Sequence, residues 1–184
     1  MNIFILNEDP VIAAQEQCDK HVVKMIVESA QMLSTAHRML DGILTKRPSK
    51  SGKRVLKYYE LLDSREDLIY KAVHHNHPCT IWTRESVANY KWHYEHFVAL
   101  CKEYTYRFGK VHSSYTALKD ILKHPPINLT KTERTPFALA MGDSPECMFD
   151  CPVKSYQAFY QKKQKRFKMD WKSRSTPEWF NWLT

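Results

Sequence analysis

Apolar residues recur with helical spacing near the start of the chain. Val22, Ile26, Ala30, Leu33 and Leu40 fall on one side of a 3.6-residue period, which predicts a helix over residues 14–40. Asp41-Gly42 closes that run with a glycine suited to a helix C-terminus. Residues 45–54, TKRPSKSGKR, are basic and polar, broken by Pro and Gly, and read as a mobile surface loop. A second helix is predicted over 55–72, with Leu56, Tyr59, Leu62, Ile69 and Ala72 pointing inward. In the HHNHPC segment that follows, residues 74–79, Asn76 is placed to cap the next helix. Pro78 then sits in its first turn, where the missing N–H costs little. That long helix is expected to reach residue 108, carrying Trp82, Tyr90, Tyr94, Phe97, Val98, Cys101 and Phe108, with Gly109 after it. A shorter helix at 114–123 stops at Pro125-Pro126, and residues 125–151 read as an irregular connection. Asp150 and Pro152 open a last helix running to residue 168. Few glycines and no long alternating segment complete the picture. The expected fold is all-α: a single-domain multi-helix bundle over residues 1–184, with irregular connecting loops and an extended C-terminal tail.

Composition adds limits. The 184 residues are 43% hydrophobic and 26% charged, enough for one real core and too apolar for a disordered chain. No apolar run approaches the ~20 residues that span a bilayer. The opening MNIFILNEDP lacks the basic start and cleavage site of a signal peptide, and the five cysteines are odd in number and without framework spacing. Free thiols in a reducing cytoplasm are expected, with no membrane partner. The net charge of +8 favours association with a polyanion through phosphate contacts, with a merely solubilising surface as the plainer reading.

Three groups of residues could carry chemistry. His21 and Glu28 are seven apart, almost two helical turns, so they share one stripe roughly 10.5 Å apart along the axis, bordering the apolar face. A carboxylate there suits a base or a stabiliser of positive charge, while an ordinary pair with Lys24 is the competing reading. Cys18, His21, His74, His75, His77 and Cys79 are competent zinc ligands, but their spacing matches no standard zinc motif, and Cys147 and Cys151 lack a matching second pair. Basic residues interleave with aromatics at Arg84, Lys91, Trp92, His93 and Tyr94, and again in QKKQKRFKMDWKSR, residues 161–174. Either could meet phosphates and bases, or simply combine a core with a solvated face. No GxxxxGK[ST], GxGxxG, GxSxG or HExxH is present, which disfavours nucleotide-cofactor enzymes, serine hydrolases and zincins.

The stretch Asp19-Lys20-His21-Val22-Val23-Lys24-Met25-Ile26-Val27-Glu28 resembles the first long helix of the pyrimidine dimer DNA glycosylases of the phage endonuclease V type. The shared elements are a short apolar N-terminal segment, Asp-x-His, and a glutamate seven residues after the histidine. His77-Pro78, Trp82 and the Ala99–Gly109 stretch add a looser similarity, so that about half the chain is covered. The resemblance implies a helical DNA repair glycosylase with AP lyase activity, without metal or cofactor, acting on damaged or modified pyrimidines; double-stranded DNA is the expected partner and a monomer the expected state. It implies that an N-terminal α-amine attacks C1′, a task for which an α-amine keeps a useful neutral fraction at pH 7. Glu28 takes the part of the family's glutamate. Residue 2 is Asn where the family exposes a threonine by removing the initiator methionine. The amine therefore belongs to Met1 if Met1 stays, or to Asn2 if it is exposed. Glu28 with Met1 or Asn2 forms the expected catalytic set, and His21, Lys20, Lys24, His77 and Arg84 the expected DNA-binding set. Two alternatives stand beside this reading. One is a zinc-type enzyme or nuclease using Cys18, His21 and the HHNHPC loop; the other is a non-catalytic basic DNA-binding module.

Overall fold

The computed structural model describes residues 1–183. Its frame is a pair of long helices, α2 (Asp19–Asp41) and α5 (Val87–Phe108), packed on each other and joined in one core by the short α1 (Pro10–Gln15) and α4 (Pro78–Thr83). A single buried apolar cluster runs from Ile3 to Phe180. The all-helical expectation is corrected: helix accounts for only 46% of the chain, and an antiparallel hairpin interrupts it.

The hairpin consists of β1 (Ile43–Pro48) and β2 (Val55–Glu60), in a register that runs from Ile43 opposite Glu60 to Pro48 opposite Val55. It occupies the stretch expected to be a loop and the first turns of the expected 55–72 helix. Valine and paired tyrosines suit strands, but the deciding residue lies elsewhere. Arg38, fully buried on α2, donates to the carbonyls of Tyr59, Glu66, Ile69 and Tyr70 and to the Glu66 carboxylate. Those carbonyls would be spent on i+4 amides in a helix; one guanidinium satisfies them in an irregular chain instead. Only α3 (Arg65–Leu68) remains helical there, and Leu62, expected inside, is 85% exposed. Gly42 links α2 to β1 in an extended conformation, and the position takes glycine because an added Cβ would clash with the Arg38 carbonyl.

Other boundaries shift for local reasons. The 14–40 helix divides into α1 and α2, and Asp9 caps α1 with its carboxylate on two backbone amides. His77, not Asn76, caps α4, its Nδ1 accepting from the Cys79 amide, with Pro78 in the first turn. Ser86 starts α5 afresh, so the long helix is broken at Arg84–Ser86, and Gly109 ends α5 in the left-handed conformation. Beyond α6 (Ser113–Leu118) only a 3₁₀ turn continues, and α7 (Pro152–Lys163) stops short of residue 168. The tail is not extended away from the body. Trp171 and Phe180 are buried, their rings 4.8 Å apart, and the Trp171 indole donates to the Glu16 carbonyl. Among the described residues no helix is long and apolar enough to cross a membrane.

Candidate active site

The chain start is part of the core. Ile3, Phe4, Ile5 and Leu6 are buried. Gln17 donates to the Ile3 carbonyl from one side, and Gln157 of α7 donates to the Leu6 carbonyl from the other. Asn2 brackets the first turn: its amide donates to the Ala140 carbonyl, and its Oδ1 accepts from the Phe4 N–H. That bond accompanies a positive φ of 55° at Phe4, a conformation an L-residue adopts only when its surroundings hold it. Phe4 is held by stacking on His21 at 4.5 Å and by edge contact with Tyr160 at 5.4 Å.

This threading delivers the chain terminus to Glu28. The Met1 nitrogen is 3.7 Å from Glu28 Oε2, and the Asn2 backbone N–H donates to the same oxygen at 3.0 Å. The Met1 side chain is tucked inward, where its sulfur accepts from the Thr80 hydroxyl. Glu28 Oε1 meets Lys24 Nζ at 3.3 Å, so the ordinary i,i+4 pair exists, but it is one of three groups on this carboxylate. Met1, Asn2, Lys24 and Glu28 line a cavity of about 190 Å³ together with Phe4, His21, Phe159 and Lys163.

His21 and Lys163 are shaped by that burial. The Tyr160 hydroxyl accepts from the Cys18 amide and sits 2.7 Å from His21 Nδ1. The same hydroxyl also lies beside the Cys18 thiol, so His21, Tyr160 and Cys18 form one buried polar cluster. Burial, with the charges of Lys163 and Lys24, pushes His21 down to about 3, so its ring enters the cavity neutral and not as a cation. Lys163, from α7, lies 4.2 Å from the Phe159 ring and 5.0 Å from the Phe4 ring. Desolvation, then the charges of Arg166 and Lys24, lowers its pKa, and among the described residues no carboxylate stands within ion-pair distance of it.

The remaining expected site residues are spread around this centre. His77 stands beside the terminus: burial and the Met1 ammonium lower its pKa, while Glu28 pulls the other way. Lys20 is exposed over Phe167, whose ring meets His21 edge-on, and so belongs to the rim. Arg84 ends α4, half-buried near His75 and Tyr59 and away from the cavity, with Nη1 lacking a partner among the described residues. The zinc reading finds no assembled set, because among the described residues no three His, Cys, Asp or Glu side chains converge as ligands. Cys18 and Cys79 are buried thiols beside Tyr160 and Tyr156, and burial raises both.

The aromatic stretch of α5 is core, with Trp92 and His93 buried. The 161–174 run divides: Lys162 pairs with Glu146, Lys168 with Asp170 and Arg174 with Glu103, and Lys163 alone turns into the cavity. No sequence signal separated Lys163 from its neighbours. Its one trace is position, three residues after Tyr160 on the buried side of α7. No family model, no curated protein and no solved structure matches this chain.

Proposed function

We propose that the chain is a DNA glycosylase with AP lyase activity, using the Met1 amine as nucleophile and Glu28 as its carboxylate partner. The observation that supports this most directly is the terminal nitrogen 3.7 Å from Glu28, inside a cavity rimmed by Lys24 and Lys163. An amine fixed beside a carboxylate can add to an electrophilic carbon and lose its proton locally, and lysines at the rim suit a substrate carrying phosphates.

The amine lone pair forms a bond to C1′ of the damaged or modified pyrimidine nucleotide, and the glycosidic electron pair departs with the base. Opening of the C1′–O4′ bond gives an iminium ion, whose positive charge lies opposite the Glu28 carboxylate. Loss of a C2′ proton then expels the 3′ phosphate by β-elimination, and water releases the sugar remnant and restores the amine. Lys24 and Lys163 hold the flanking phosphates, with Lys20 and His77 further out on the rim. The neutral His21 ring offers a hydrogen-bonding nitrogen to the nucleotide. Asn2 positions the terminus through its bonds to Glu28, Ala140 and Phe4.

Borohydride reduction in the presence of duplex DNA with one abasic site tests this. A covalent adduct attached at the Met1 nitrogen, located by mass spectrometry, is expected, and an extra residue placed before Met1 should abolish it. Binding without any adduct would leave a DNA-binding protein and remove the lyase.

A further inference from the structure

The hairpin carries a charge that the fold does not use. Residues 43–60 hold six cations, Lys46, Arg47, Lys50, Lys53, Arg54 and Lys57, against one acid, Glu60, so five of the eight net positive charges sit on two strands and their turn. The acid is already taken by Arg47. Lys46 and Lys57 lie directly opposite each other in the register, a like-charge pair that weakens a sheet. Neither face of the ribbon is covered, since Ile43, Leu44, Val55 and Leu56 are all exposed. Five cations without an ion pair among the described residues, on an exposed two-stranded ribbon, are complementary to a polyanion, and B-DNA's major groove admits a ribbon of this width.

The foot of the hairpin also leads toward the Glu28 cavity. Lys57, Tyr59 and His75 border a cleft of about 570 Å³ under the hairpin. The same three residues border a second cleft of about 540 Å³, which continues through His74 to His77. His77 feels the charges of both the Met1 amine and Glu28. Met39 marks the hairpin end of this track on α2, eleven residues from Glu28 or roughly 16 Å along the helix axis. At about 3.4 Å per nucleotide of one strand, that is ~5 nucleotides.

We infer that the β1–β2 hairpin is a duplex-DNA arm, whose foot stands about five nucleotides from the nucleotide held at Glu28 and whose turn grips the phosphate backbone. The choice of DNA as the polyanion rests on the proposed function; the charge and the track do not.

The test is fluorescence anisotropy on an undamaged 30-base-pair duplex across a range of salt concentrations, using the full chain and a K50S/K53S/R54S variant. These three side chains are exposed at the turn, so unfolding is not expected, and circular dichroism checks it. Three lost phosphate contacts should lower the slope of log affinity against log salt by ~2.7 and weaken binding at least tenfold at low salt. Lys57→Gln, in mid-strand opposite Lys46, should lower the slope by ~0.9. Unchanged slopes in both variants would overturn the arm. So would a loss confined to anionic vesicles, or a change in sedimentation without a change in DNA affinity. E28Q separates the two ideas. It should abolish trapping and leave the hairpin-dependent slope intact, whereas absent trapping with a hairpin-dependent slope removes the lyase and keeps the arm.

Discussion

From Asn2 to Leu6 the chain is buried in the core, with Met1 half-buried at the Glu28 cavity, whereas from Ile43 to Glu60 it meets solvent on both faces. The first segment has few choices. Asn2, Gln17 and Gln157 take up its backbone groups, Phe4 is wedged against His21 and Tyr160, and the terminus ends on a carboxylate. The hairpin is specified by its own cross-strand pairs and by one buried arginine at its root. A position fixed by many buried partners can hold reacting atoms to a fraction of an ångström. An exposed ribbon can follow the shape of a large partner. The proposed chemistry and the proposed arm divide along that line.

Replacing Glu28 by Gln is the sharpest way to break the enclosed side. It keeps the shape and an acceptor for the Asn2 amide but removes the charge that the proposed mechanism sets opposite an iminium ion. Trapping rate should fall by about 10²–10⁴, with DNA affinity changed little. Arg38→Met attacks the root of the hairpin from inside the core. Four carbonyls and Glu66 lose their donor together, so denaturant unfolding should show a loss of about 3–5 kcal/mol.

Acid should act on the core before it acts on the hairpin. Burial holds His21 at about 3, His37 at about 4 and His96 at about 3. The unfolded chain binds protons at these groups near pH 6.5 while the folded chain does not. Stability is therefore full above ~6.5 and falls as pH drops from there toward 4, by up to ~1.4 kcal/mol per pH unit for each histidine. Thermal melts between pH 7.5 and 4.5 measure this, and a flat profile would mean that these rings accept protons in place. The hairpin turn sets the smallest effect: the K50S/K53S/R54S variant should stay within ~0.5 kcal/mol per substitution of the parent's stability while losing DNA affinity.

Much of the enclosed side was legible. The 3.6-residue period found α2, the seven-residue spacing put His21 and Glu28 on one stripe, and the resemblance named the terminal amine as their partner. Lys163 and Tyr160 were not legible, because they reach the site from α7, more than 130 residues away in the chain, and nothing in the lysine run distinguishes the one that turns inward. The hairpin was misread for a related reason. Leu56, Tyr59 and Ile69 satisfy a helical period, and the residue that cancels the helix, Arg38, belongs to another element.

By itself the sequence determined most of α2 and α5 but not the breaks before them, and it placed His21 with Glu28 on one face, because each depends on residues within a few turns of one another. The tertiary structure decided which charges are spent and which are free. Burial made His21 a neutral ring and Arg38 a substitute for a helix's amides, and among the described residues it left Lys163 and the hairpin's lysines with no acid to answer them. Desolvation and the availability of a partner are properties of a place in the fold, and a side chain acquires them only when distant segments close around it.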